Sequence, residues 1–253
     1  MSSVGLVVPA YRPDIGRLAD YVRTLDERLS PAAVRVEIDA PEPVALDRLA
    51  DLPATVNAAP SRRGKGAAVA AGFQALAGDD GIEVLAFADG DASTPVGSVD
   101  AVLGAVGRAD LAVGSRRHPD AVVDGHQTRV RRRLGDGFAW LARRCLDASL
   151  FDYQCGTKAL TAEAWRAIEP HVAAPGFAWD VEVIAVADAL GHRVEEVPIR
   201  WRDRPGSTVA PVRGSASMAR GLLSARWRAR RVRAARAGRR PARELPAPAD
   251  RVR

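Results

Sequence analysis

The sequence predicts an open, mostly parallel α/β sheet flanked by helices, with a basic C-terminal helix and tail. Three observations carry that prediction. Short apolar runs alternate with segments of helical spacing through the first two hundred residues, as successive strand-helix units require. The run at residues 84–88, Val-Leu-Ala-Phe-Ala, is wholly apolar, as in a strand covered on both faces. At 253 residues and 47% hydrophobic content, the chain can bury one substantial core.

The elements follow in order. Val4 to Pro9 is an apolar run closed by proline, and Ile15, Leu18, Tyr21, Val22, Leu25 and Leu29 then recur at helical spacing. Strands are expected at 34–38 and 55–58, a Gly-rich turn and helix at 65–76, a strand at 84–88, a helical stretch, and a strand at 111–114. Beyond residue 128 the pattern gives a helix to position 150, a loop over 152–158, helices at 162–168 and 180–190, and a strand at 194–199. An Arg-rich helix is expected over 218–237, after which Pro241, Pro246 and Pro248 mark a disordered end. The domain reading is therefore one α/β unit over 1–212 and an Arg-rich amphipathic helix with its tail over 213–253. No internal repeat is present.

Charge is unevenly placed. Of the net +6, residues 213–253 hold +11, from 13 Arg against 2 acids, which leaves −5 for residues 1–212. A uniformly basic binding surface is thus excluded, and without an aromatic recognition motif no nucleic-acid partner is expected. The tail's Met218, Leu222, Leu223 and Trp227 form an apolar stripe among arginines, the pattern of a helix that meets an anionic membrane surface; a packing helix with a solvated Arg face is the alternative. Cys145 and Cys155 have neither zinc nor redox spacing, and a reduced compartment fits them. No signal peptide is read at the start, and no stretch reaches the roughly 20 apolar residues of a spanning helix. The expected location is cytoplasmic and peripheral to the membrane, at its surface or through a membrane partner protein.

In open α/β sheets ligands gather beyond the carboxyl ends of the strands. The residues there are Pro9-Ala10-Tyr11, Asp39, Asp89-Gly90-Asp91 and Gly114-Ser115-Arg116. Two carboxylates one residue apart repel unless a cation or hydrogen-bond donors gather between them. An isolated Asp-Gly-Asp is more often a solvated turn, but its position after an apolar strand and before Ser93-Thr94-Pro95 favours a metal site at Asp89 and Asp91. Arg62-Arg63-Gly64-Lys65-Gly66 opens a helix, where free N–H groups and basic side chains favour an anion.

Taken in order, Pro9-Ala10-Tyr11, Arg63-Gly64-Lys65-Gly66-Ala67-Ala68-Val69, Phe87-Ala88-Asp89-Gly90-Asp91-Ala92-Ser93-Thr94-Pro95, Val113-Gly114-Ser115-Arg116, Asp152-Tyr153-Gln154-Cys155-Gly156-Thr157-Lys158 and Trp201 with Pro205-Gly206-Ser207 resemble the motifs of family 2 glycosyltransferases. The likeness is greatest to the polyprenyl-phosphate (dolichyl-phosphate) glucosyl and mannosyl transferases, and it covers residues 4–212. It implies a GT-A, Rossmann-like fold, inverting transfer of a hexose from a UDP- or GDP-sugar, and Mg²⁺ or Mn²⁺ at Asp89 and Asp91. It places Pro9, Tyr11, Asp39, Lys65, Asp89 and Asp91 at the donor. The family's Asp-Asp-Gly-Ser-like sequence after the second strand is here Ile38-Asp39-Ala40-Pro41, which keeps an acid but lacks the Gly-Ser portion.

A polyprenyl-phosphate acceptor is already anionic near pH 7, so it needs positive charge rather than a strong base. Arg116, Arg129, Arg131, Arg132 and Arg133 are the candidates for holding its phosphate, with Arg116 and Arg131 counted as catalytic alongside Asp91 and Asp180. By the resemblance, Asp180 and Glu182 fall where many family 2 enzymes carry acids near the acceptor, one of them serving as general base for a hydroxyl acceptor or orienting Arg and metal groups for a phosphate, though acids in a helix's first turn also complement its dipole. The alternatives are thus a glycosyltransferase acting on a hydroxyl acceptor, or an inactive nucleotide-sugar-binding protein.

Overall fold

The computed structural model describes residues 3–125, 129–203 and 211–238, with side chains described except at 129–132 and 211–217. The chain runs β1 (Val4–Tyr11), α1 (Ile15–Leu29), β2 (Ala33–Asp39), α2 (Pro43–Asp47), β3 (Thr55–Ala59), α3 (Lys65–Ala77), β4 (Val84–Ala88), α4 (Val96–Ala105), β5 (Leu111–Ser115), β6 (Val122–Asp124), α5 (Arg129–Cys145), β7 (Thr157–Thr161), α6 (Ala162–Ile168), α7 (Trp179–Leu190), β8 (Val194–Pro198), β9 (Arg200–Arg202) and α8 (Pro211–Gly238).

Seven strands form one sheet in the order β3-β2-β1-β4-β7-β5-β8, and β6 pairs with β9 in a small second ladder. All neighbours in the large sheet are parallel except β7, which lies antiparallel between β4 and β5, with Phe87 and Val113 both opposite Lys158. The expected mostly parallel sheet is therefore present. The expected loop over 152–158, however, gives way to a strand at Thr157. Lys158 hides that strand in the sequence, because a lysine inside Thr-Lys-Ala-Leu-Thr reads as solvent-facing, whereas its side chain is buried.

The central strands β4 and β5 are buried along their whole length, as their apolar sequences require. On one side Phe73, Phe87, Trp165 and Trp179 interlock edge to face, with ring centroids 5.2 Å apart for Phe73–Trp165 and 5.8 Å for Phe87–Trp179. On the other, Leu18, Val22 and Leu25 of α1 join Val99 and Val102 of α4.

The C-terminal helix belongs to the first of these layers. On α8, Leu222, Ala225, Ala229 and Val232 are buried in the same cluster as α7, while Leu223 and Trp227 remain 62% and 54% exposed. The single apolar stripe expected from the sequence is thus divided: Met218 and Leu222 face the core, and Leu223 and Trp227 face outward. Gly221 lies so near α7 that a Cβ on it would come within 2.3 Å of the Ala178 Cβ. The boundary expected at residue 212 falls inside α8, of which the described part packs on the catalytic sheet's own helices. Among the described residues no helix is long and apolar enough to cross a membrane.

Candidate active site

The carboxyl ends of β1, β2, β4 and β5 lie along one edge of the sheet, and a backbone bond ties the turns after β1 and β4. The Pro9 carbonyl accepts from Gly90 N at 3.2 Å, so the buried Pro9 serves the site through its backbone. Tyr11 lies beneath the Arg62 guanidinium, 4.3 Å from the ring centroid. Asp39 is buried and its oxygens are engaged: Oδ1 accepts from Arg63 Nε at 2.8 Å, and Oδ2 accepts from the backbone N–H groups of Arg63 and Gly64 at 2.8 and 2.9 Å. Asp39 therefore fixes the turn that begins α3. Gly64 takes a φ of 97° there, and a Cβ on it would meet the Pro175 carbonyl at 2.5 Å. Glu37, wholly buried on β2, completes this cluster with Arg35, Asn57 and Arg63.

Asp89 and Asp91 follow β4. The Asp89 backbone N donates to the Gly156 carbonyl at 2.9 Å, and Gly156 is close enough that a Cβ would sit 1.9 Å from Asp89 Oδ2. Lys65 Nζ lies 3.1 Å from Asp89 Oδ1 and 3.1 Å from Asp180 Oδ2. Burial, with Asp91 and Asp180 nearby, pushes the Asp89 carboxyl above the usual range in spite of that ammonium. Asp91 is exposed and its Oδ1 accepts from Ser93 N at 2.9 Å, while Ala92 between them adopts a left-handed φ of 56°. The two carboxylates offer hard oxygen donors suited to Mg²⁺ or Mn²⁺, and among the described residues no group of three His, Cys, Asp or Glu forms. A cation of this kind fits here when phosphate oxygens and water complete its shell.

Asp180 opens α7 and is buried between two lysines. Its Oδ1 lies 2.6 Å from Lys158 Nζ, which also donates to the Cys155 carbonyl at 2.9 Å, and its Oδ2 faces Lys65. Burial alone would raise the Asp180 carboxyl, but Lys158 and Lys65 outweigh it and hold the group below its ordinary value. Glu182, two residues further on, accepts from the N–H groups of Ala173 and Ala174 at 2.8 Å and from the Ser224 hydroxyl at 3.1 Å. Arg228 Nε stands 2.9 Å from Glu182 Oε1, but its N–H is not directed at an acceptor, so the contact is ionic rather than a hydrogen bond. Both carboxylates are thus engaged on both oxygens by groups of the chain itself.

Arg116 follows β5 and is held by Asp152, with Nε and Nη2 at 2.7 and 3.0 Å from its two oxygens. Burial would raise Asp152, yet the guanidinium keeps it well below the usual carboxylate range. Trp201 lies beside Arg116, 5.6 Å from ring centroid to guanidinium carbon. The next residue, Arg117, pairs with Asp136 of α5 and lies over Gly135. The backbones of Arg129, Arg131 and Arg132 form the first turn of α5, and their side chains lie outside the described residues; Arg133 is exposed.

The structure thus brings Lys65, Asp89 and Asp180 together, with Asp91 at their rim. It sets Arg116 and Arg117 after the next parallel strand. Sequence reasoning gives no role to Glu37, Arg117 or Asp152, assigns Arg63 to an anion-favouring helix start where the structure pairs it with Asp39 and Glu37, and leaves the role of Lys158 open. The one signal for Glu37 is an acid at the centre of the Val-Arg-Val-Glu-Ile-Asp strand, where a solvated charge is out of place.

No protein-family model matches the chain. It is 32% identical over 237 residues to the glycosyltransferase AglD of Haloferax volcanii, covering 88% of this chain and 37% of that protein. It is 30% identical over 179 residues to the undecaprenyl-phosphate mannosyltransferase of Micrococcus luteus, covering 68% of this chain and 73% of that one. Other curated relatives are matched over about half their length. The fold resembles glucosyl-3-phosphoglycerate synthase from Mycobacterium tuberculosis, solved with Mn²⁺, UDP-glucose and phosphoglyceric acid, at a TM-score of 0.65 and 16% identity over 89% of this chain and 80% of that one.

Proposed function

Because the chain belongs to the GT-A family 2 glycosyltransferases related to the dolichyl- and undecaprenyl-phosphate enzymes, and is therefore a hexosyltransferase, we propose that it transfers a hexose from a UDP- or GDP-sugar to a polyprenyl phosphate. The observation that carries the acceptor class is the state of the two acids beside the site. Asp180 is neutralised by Lys65 and Lys158, and Glu182 is consumed by backbone N–H groups, Ser224 and Arg228. An acceptor that arrives as an anion needs no base, whereas a sugar hydroxyl does.

In this reading Asp91 and Asp89 would hold Mg²⁺ or Mn²⁺ at the donor's diphosphate. The cation would supply charge to stabilise the departing nucleoside diphosphate. Lys65, beside Asp89, would add a second positive charge, and Tyr11 with Arg62 would border the nucleoside. An oxygen of the lipid phosphate forms the new bond to the anomeric carbon as the bond from that carbon to the diphosphate oxygen breaks, which inverts the centre. Arg116, Arg117 and the start of α5, with Arg129, Arg131 and Arg132, hold the acceptor phosphate. The exposed Leu223 and Trp227, with Arg231 4.6 Å above the indole, suit contact with an anionic membrane surface at which such a lipid would be met.

The test is acceptor choice in the purified protein with Mn²⁺ and a labelled donor. Transfer to a short-chain polyprenyl phosphate is expected, with loss of turnover in excess chelator and in Asp91→Asn, which removes charge while keeping shape. Transfer to the matching prenol at a comparable rate would overturn the acceptor class, and full activity in chelator would overturn the metal assignment.

A further inference from the structure

Lys158 is fully buried, cannot reach a ligand, and yet lies one carboxylate away from the donor site. Its Nζ is bound on one side by the Cys155 carbonyl at 2.9 Å and on the other by Asp180 Oδ1 at 2.6 Å. Asp180 in turn offers its second oxygen to Lys65 at 3.1 Å, and Lys65 spans to Asp89 at 3.1 Å. Four charged groups therefore alternate in sign through successive contacts, Lys158, Asp180, Lys65, Asp89, from the start of the antiparallel strand to the turn after β4. The Phe87 ring lines the same path, 5.0 Å from the Lys65 ammonium and 5.6 Å from that of Lys158.

A buried carboxylate with a single ammonium partner draws that partner to itself. With two, it is balanced on both oxygens, and each ammonium keeps capacity for another contact. We propose that Lys158 is a positioning residue for the donor site: by occupying Oδ1 of Asp180 it leaves Lys65 shared between Asp180 and Asp89, and so sets the Lys65 ammonium where a nucleoside diphosphate meets it. This rests on the donor reading given above. It adds that the affinity for the diphosphate is governed by a residue on β7 that never touches it, and that Asp180 acts as the link between two lysines instead of as a base.

This alternating row makes Lys158 and Asp180 a compensating pair. Lys158→Met leaves Asp180 with Lys65 as its one ammonium partner, which pulls Lys65 away from Asp89. Lys158→Met combined with Asp180→Asn removes both charges, and the neutral amide releases Lys65 to Asp89. Removing both members of a buried pair is far better tolerated than removing one. The measurement is calorimetric titration of the full chain with UDP and with GDP, in Mn²⁺, at a temperature where thermal melting shows each variant folded. Lys158→Met should bind the nucleotide that the parent prefers about tenfold more weakly, the scale of a single charge-assisted hydrogen bond. The double variant should return to within about threefold of the parent. Equal affinity in the parent and folded Lys158→Met, with only the melting temperature lowered, makes Lys158 a purely structural residue and overturns the proposal. A double variant as weak as Lys158→Met overturns it as well. A parent that binds neither nucleotide removes the donor reading itself, and the proposal falls with it.

Discussion

Replacing Leu222 and Leu223 by alanine, one at a time, puts the placement of the C-terminal helix to a direct test, because two adjacent leucines should respond in opposite ways. Leu222 is 1% exposed within the cluster that holds Trp165, Trp179 and the apolar face of α7, whereas Leu223 is 62% exposed. The close approach of Gly221 to Ala178 leaves the helices little room to settle into a cavity. Leu222→Ala should therefore cost about 3 kcal/mol, within the range for leucine deletions at rigid core sites. For a domain of this size, each kcal/mol lowers the melting temperature by about 2–4 °C, so a fall of roughly 6–12 °C is expected. Leu223→Ala should stay within about 0.5 kcal/mol of the parent, as exposed substitutions do. On vesicles containing anionic lipid the order reverses: Leu223→Ala, and more so Leu223→Ala with Trp227→Ala, should weaken sedimentation with the vesicles, and the folded Leu222→Ala variant should not. Thermal melting by circular dichroism and vesicle sedimentation give the two readouts. Equal melting shifts for the two leucines would refute the packing of α8 on α7, and would return the helix to the independent tail that its composition suggests.

Gly156→Ala should abolish donor binding with little loss of fold, since the new methyl group would lie 1.9 Å from Asp89 Oδ2 and the exposed edge of the site gives before the sheet does; normal UDP titration by the variant would show that Asp89 tolerates displacement. Acid stability should depend on Asp152 and Asp180. Both carboxyls are held below their ordinary value in the folded chain, so the stability they contribute is complete above about pH 4, where the unfolded carboxyls are ionised, and is lost as pH falls through the depressed folded values. Urea midpoints taken from neutral to acid pH should fall in that window, and Asp152→Asn should start lower and fall less steeply; an unchanged slope would show that the Arg116 pair contributes nothing.

What is legible in the sequence depends on range. The strands β1, β4 and β5 and the helices α1 and α3 are written in local periodicity, and Asp89 and Asp91 stand out because they follow an apolar strand. The partners of these residues are written nowhere nearby. Arg116 reads as a free cation until Asp152 is brought to it, and Asp180 reads as a base until Lys65 and Lys158 arrive from α3 and β7. The absent Gly-Ser portion after β2 proves to have a backbone answer, since Ala40 adopts a φ of 46°, a left-handed conformation that glycine takes with less strain. The three-residue strands β6 and β9 escape sequence reasoning because each is too short to show a period, and their pairing joins residues from opposite sides of α5. α8 reads as a tail because its arginines dominate its composition, although four small or aliphatic residues at helical spacing are what it buries.

The reversed strand at the middle of the sheet also orders events in time. β4 is synthesised early, but the strand beside it on the β7 side comes after β5, β6 and α5, and the Gly156 carbonyl that receives the Asp89 N–H arrives just before it. Contacts that close long loops form late in folding and slow it. A nascent chain emerging from the ribosome would thus carry Asp89 and Asp91 through an interval in which β1 and β4 can pair but the centre of the sheet still has an open edge. During that interval β4 is wholly apolar and unpaired on one side, a template for pairing with another chain. The insertion of β7 closes that edge and fixes the Asp89 turn in the same step, so protection against misassembly and competence of the site are acquired together.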